Sequence, residues 1–130
     1  MSRAPAIACA CGSAAAYAAC CGRFIDGGMQ ASTAAELMRS RYTAYAHENS
    51  AYLLATWHAS TRPEDWSLNL APARWIGLDI RHAADQDSTH ATVEFVARYR
   101  IEGRAHRLHE KSRFLKQDGR WYYLDGVSGV

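Results

Sequence analysis

Four cysteines, Cys9, Cys11, Cys20 and Cys21, crowd one short stretch near the amino terminus, and no other cysteine follows as far as Val130. This spacing limits what the segment can become. The adjacent pair Cys20 and Cys21 could bridge only through a strained ring, and a cross-pairing would staple a short peptide to itself. Four thiolates in two close pairs do suit a tetrahedral metal, with zinc–sulfur bonds of about 2.3 Å. Zinc is the default ion for such a set, and iron can occupy the same cage. A stretch this short has no core of its own, whereas structural zinc supplies about 10–16 kcal/mol of apparent binding energy in small peptides. One structural zinc on these four ligands is therefore expected. Four protein thiolates leave no coordination position for a hydrolytic water.

The residues between the two pairs fit a knuckle. Gly12 follows the first pair, where a positive φ is needed that only glycine adopts cheaply. Ser13 is a good N-cap, and Ala14 to Ala19 are strong helix formers, so about two helical turns are expected there. Tyr17 is the one large side chain available to cover the metal. A turn from Phe24 to Gly28 should separate this knuckle, residues 1–23, from a main domain over residues 24–130. The apolar stretch before Cys9 is about five residues, short of the 7–15 of a secretory signal. No apolar run nears the roughly 20 residues of a membrane span. A cytoplasmic protein without membrane attachment is expected.

In the main domain, 48% of the whole chain being apolar and 22% charged supports a packed core. The formal charge of +2 is too small to imply nucleic acid by itself. Thr33 with Glu36 is a capping box, opening a helix that runs to about Ala46. A second helix is expected from Ala51 to Trp57 behind Asn49 and Ser50, with Leu53, Leu54 and Trp57 inward. Trp66 to Arg74 is ambiguous. From Trp75 the apolar period becomes two, giving strands Trp75–Ala83, His90–Ile101, Ala105–Gln117 and Arg120–Asp125. Asp118-Gly119 is a hairpin signal. Helices followed by a four-stranded antiparallel meander make an α+β domain with its helices on one sheet face.

The run from Cys9 to Cys21, CACGSAAAYAACC, resembles the SEC-C motif, the zinc tail of the bacterial translocation ATPase SecA. Cys21 takes the place that is often His. Further segments are similar to the YchJ-like family of bacterial SEC-C proteins: LMRSRYTAY from Leu37, YLLATWH from Tyr52, VEFVARY from Val93 and RWYYLDG from Arg120. The resemblance implies a nuclear-transport-factor-2-like (NTF2-like) cone, with helices packed on the meander behind the zinc knuckle. It also implies an adaptor, since the SecA tail is a docking module, with a protein of the translocation or ribosome-associated kind as partner and RNA less favoured. Folds of this kind also host small-molecule sites, so a binding or catalytic pocket inside the cone is the alternative. The residues themselves select no reaction.

Within such a cone, the helical wheel puts Arg41 on the inward arc with Leu37, Met38, Tyr42 and Tyr45, and sends Arg39 to solvent. Glu110 alternates in phase with Leu108 and Phe114, so it also faces the helices. Buried charges need partners, which makes an Arg41–Glu110 ion pair the expectation. Tyr45, Trp57 and His58 should complete that pocket. On the other sheet face Arg98, Arg100, Arg107, Lys111 and Arg113 should form one basic surface, offset in part by Glu94. Residues 33–125 should carry a core separate from that of the knuckle.

Overall fold

The structure, a computed structural model, describes residues 8–63 and 73–128. The ambiguous segment from Trp66 lies for the most part outside the described residues. After the cysteine segment come three helices, α1 (Gly22–Ile25), α2 (Ala34–Ala46) and α3 (Ser50–Ala55). Four strands follow: β1 (Arg74–Asp85), β2 (His90–Ile101), β3 (Arg104–Gln117) and β4 (Arg120–Ser128).

The helix starts are set by side chains acting on the nearest orphan amides. Thr33 Oγ1 accepts from Glu36 N at 3.1 Å to open α2, and Asn49 Oδ1 accepts from Tyr52 N at 3.1 Å to open α3. The strands pair as an antiparallel meander in the order β1-β2-β3-β4. Its two tight turns need positive φ at both central residues, found at Glu102-Gly103 (51° and 79°) and Asp118-Gly119 (53° and 78°). The β1–β2 turn is tied by Asp87, whose Oδ1 accepts from the backbone amides of Thr89 and His90, both at 2.8 Å.

Alternation along β2 buries Ala91, Val93, Phe95 and Ala97 against α2, where Leu37, Met38 and Tyr42 meet them. Phe114 of β3 and Trp121 of β4 join the same cluster. Helix α2 is buried beyond that stripe. Ser40, Thr43 and Ala44 are fully enclosed, because α3 and the cysteine segment cover its other sides: Ser40 Oγ lies 2.7 Å from Tyr52 Oη, and Thr43 Oγ1 lies 3.6 Å from Cys9 Sγ. The four cysteines therefore belong to the same buried cluster as α2 and the sheet. The expected separate core for residues 33–125 is not found. An α2 enclosed on several sides makes the two parts share one interior.

Two further expectations change. Arg39 does not point to solvent: its Nη1 donates to the Cys11 carbonyl at 3.2 Å, since the cysteine segment lies along that side of α2. Helix α3 stops at Ala55, and Trp57 instead pairs with Tyr123 as an isolated parallel bridge.

Candidate functional site: a cysteine centre and an interior cavity

The cysteine segment is shaped by closure and scarcely by propensity. Ala14 has φ of 69°, Ala8 bridges Ala16, and Cys9 N donates to Ala15 O at 2.9 Å. Of the helix expected over Ala14 to Ala19, only a single 3-10 turn, Tyr17–Ala19, remains. Alanine's helical advantage is at most about 0.7 kcal/mol per residue over ordinary residues. Summed over Ala14 to Ala19 that is about 4 kcal/mol at most, against about 10–16 kcal/mol for a structural zinc site, so the chain follows the sulfurs. Gly12 has the positive φ expected of it, 80°. Tyr17 packs on Gly22 and on the His47 ring, 5.4 Å between centroids, beside the centre.

All four cysteines are buried, and their sulfurs lie within 4.8 Å of one another. Cys11 Sγ is 3.6 Å and Cys21 Sγ 4.0 Å from Cys20 Sγ. These spacings are far too long for disulfides and bracket the S···S edge of about 3.8 Å in a tetrahedral site with 2.3 Å bonds. The residues fit one metal ion. Donors stand around the sulfurs: Ser13 Oγ is 3.1 Å from Cys20 Sγ, and Arg39 Nη1 is 3.9 Å from Cys11 Sγ. The set is already polarised. A hydrogen bond from Cys21, aided by Ser13, holds the Cys11 thiol down at about 4 against its burial. The same bond pushes Cys21 up, and burial does so for Cys20. A bound zinc takes all four as thiolates, so the protons still held by Cys20 and Cys21 would leave as it enters.

Between α2 and the sheet lies a cavity of about 210 Å³. Its walls are largely apolar, Trp75 and Phe95 among them, and its polar side chains include Arg41, Tyr45, Glu110 and Ser112. Arg41, Tyr45 and Glu110 thus line one cavity. Trp57 and His58 do not line this cavity. Trp57 lies behind Arg41, 5.2 Å from the guanidinium carbon and stacked edge-on to Tyr123. His58, the next residue along an extended segment, turns to the other side, where its ring nitrogens meet Ser60 Oγ at 2.7 Å and Gln117 Oε1 at 2.6 Å.

The Arg41–Glu110 ion pair is not formed, for no approach within 4.0 Å occurs between them. Arg41 is only 2% exposed. Its Nη1 donates to Leu53 O at 2.8 Å and to Thr56 Oγ1 at 2.7 Å, and its guanidinium lies over the Tyr123 ring at 4.4 Å. Burial lowers its affinity for the proton, opposed by the phenols of Tyr45, Tyr123 and Tyr52. Glu110 instead accepts from Ser112 Oγ at 2.7 Å. The Leu53 carbonyl in the last turn of α3 and Thr56 just past its end are nearer acceptors for the guanidinium than the sheet is. Sequence reading missed Ser112 and Gly126 beside Glu110. A glycine inside a strand was the available signal, since it marks close approach of another group.

On the opposite sheet face, register sets Arg98 against Arg107 and Glu94 against Lys111. The basic surface is smaller than expected. Arg113 is held in a two-pronged pair with Asp125, and Glu94 pairs with His109 at 2.7 Å. Arg98, Arg100, Arg107 and Lys111 remain exposed on it.

Comparison with known proteins settles the family. Residues 33–126 match the YchJ middle NTF2-like domain. A UPF0225 protein of Ralstonia nicotianae is 54% identical over 134 residues, covering 95% of this chain and 92% of its own. The chain belongs to the YchJ-like family. Another UPF0225 protein, from Bordetella parapertussis, is 54% identical over 121 residues, covering 92% of this chain and 91% of its own. The YchJ-like fold is matched by the solution structure of a SEC-C motif containing protein from Rhodopseudomonas palustris. That structure has a TM-score of 0.86 and 33% identity, over 95% of this chain and all of the other. A crystal structure of a SEC-C motif containing protein from Psychrobacter arcticus gives a TM-score of 0.74 at 26% identity, over 95% of this chain and 83% of the other. The family thus accounts for both the NTF2-like cone and the cysteine segment in front of it. Among the described residues, no helix is long and apolar enough to cross a membrane.

Proposed function

We propose that the chain is a zinc-stabilised adaptor, docking through the cysteine segment on a protein of the ribosome or translocation apparatus. The supporting observation is an inside-out contrast. The four sulfurs are enclosed, whereas the loop around them exposes an uncharged rim: Ala10, Gly12, Ser13, Ala14, Ala18 and Ala19. Zinc is the ion we assign, from the all-thiolate donor set and tetrahedral spacing. Bound there, it would hold the loop in shape and neutralise thiolate charge. Small side chains on a rigid loop allow close backbone approach by a partner and lose little entropy on binding. Likeness to SEC-C motif proteins supports the same reading. RNA is the weaker partner, because pairing with Asp125 and the Glu94–His109 contact reduce the basic face.

The reading is tested with full-length protein and purified ribosomes. Native mass spectrometry should find one zinc, lost in Cys9→Ser. Co-sedimentation and cross-linking should place ribosomal or translocation proteins against the rim, with Ala10→Glu and Ala18→Glu losing the contact and keeping zinc. Capture that is unaffected by both rim substitutions would refute the docking role.

A further inference from the structure

Among the described residues the charge of Arg41 meets a carbonyl, a hydroxyl and aromatic faces, and no carboxylate. A guanidinium enclosed to this degree needs an anion, because an unpaired buried charge is among the costliest features a fold can carry. Among the described residues no carboxylate comes within 4.0 Å of it. Among the described residues its Nη1 donates to Leu53 O and Thr56 Oγ1, and the Tyr45 phenol is a further neutral partner. The indole Nε1 of Trp57 is the only fully enclosed side-chain nitrogen or oxygen, among the described residues, without a partner. Arg41 is among the residues that line the cavity, which is where an anion could reach its guanidinium. Glu110 has the complementary arrangement. Ser112 occupies its Oε2, and among the described residues no donor meets Oε1.

We propose that this cavity binds a small, largely apolar carboxylate. Its carboxylate takes the guanidinium of Arg41, and a hydroxyl or amino group on the ligand donates to Glu110 Oε1. A planar guanidinium fork matches a carboxylate in geometry as well as charge. The aromatic walls, Trp75 and Phe95, suit a flat apolar body. Size limits the class further. An apolar cavity of about 150 Å³ holds benzene, so about 210 Å³ suits a single substituted ring better than a nucleotide or a long acyl chain. One cation and one anion facing the same space favour a ligand with a donor of its own over a dianion. The site lies inside the cone, so it stands apart from the docking role of the cysteine rim, and either can fail without the other.

The test uses the full-length, zinc-loaded protein, with 4-hydroxybenzoate, benzoate and 4-hydroxybenzyl alcohol as probes. Affinities come from calorimetry, and the site from backbone amide NMR shifts. The acid should bind at least about tenfold more tightly than the alcohol, with shifts concentrated in α2, β2 and β3. Arg41→Lys, which keeps the charge and loses the fork, should erase that preference. Leu108→Trp, which fills the cavity, should abolish binding while zinc content and folding persist, and so tests the site even if the Arg41 variant does not fold. Ala10→Glu should change nothing here. Equal affinity for acid and alcohol, or shifts lying outside the cavity, would overturn the proposal. Equal affinity for benzoate and 4-hydroxybenzoate would overturn the role given to Glu110.

Discussion

Glu110 owes its position to a missing side chain. A Cβ placed on Gly126 would stand 2.6 Å from Glu110 Cδ and 2.7 Å from its Oε2, closer than real side chains come. Gly126→Ala must displace the carboxylate from Ser112 or shift β4, and since a flexible side-chain end can yield, the cost in urea unfolding should be about 1 kcal/mol, near that of one hydrogen bond. In a Glu110→Ala background the same change should cost much less, so the double-mutant cycle should show a coupling of up to about 1 kcal/mol. Additive effects would mean that strand propensity alone explains Gly126. The inward direction of Glu110 was legible from alternation with Leu108 and Phe114. The approach of Gly126 was not, because register across β4 decides it, and a bulge between Arg113 and Phe114 shifts that register.

At the scale of elements, local chemistry set most boundaries. Thr33→Ala should lower stability by about 1 kcal/mol, since the Glu36 amide loses its acceptor; thermal melts read this directly. The β1–β2 turn gives a pH signature. Hydrogen bonds from the Thr89 amide, with His90 and the Thr89 hydroxyl, hold the Asp87 carboxyl at about 2. Its folded value lies below its unfolded one, so the stabilisation is complete above the ordinary carboxylate range and is lost as pH falls toward 2. Between pH 5 and 2 the melting temperature of the wild type should drop further than that of Asp87→Asn. These caps and turns were readable because each rests on residues within a few positions. The expected helix over Ala14 to Ala19 and the solvent-facing Arg39 failed for the opposite reason. Both are decided by contacts between the cysteine segment and α2, which no local window contains.

For the molecule as a whole, the cysteines and α2 share one interior, so metal removal should not leave the cone intact. Stripping the ion with a chelator, or Cys11→Ser, should lower the thermal midpoint of the entire chain in one transition seen alike by near- and far-ultraviolet circular dichroism. Two separated transitions would mean independent units after all. The cone itself was foreseeable from the switch of period at Trp75 and from the family resemblance. Its fusion with the cysteine segment was not, since a helical wheel assigns α2 one buried stripe, whereas Ser40, Thr43 and Ala44 are buried outside it. Helix α2 consequently stands between two sites. On one side Thr43 and Arg39 touch Cys9 and Cys11; on the other Met38, Arg41 and Tyr42 wall the cavity. A helix so placed is a route by which the two occupancies can couple, and any such coupling is reciprocal. Whatever factor the ion adds to the grip on a cavity ligand, the ligand must return to the grip on the ion.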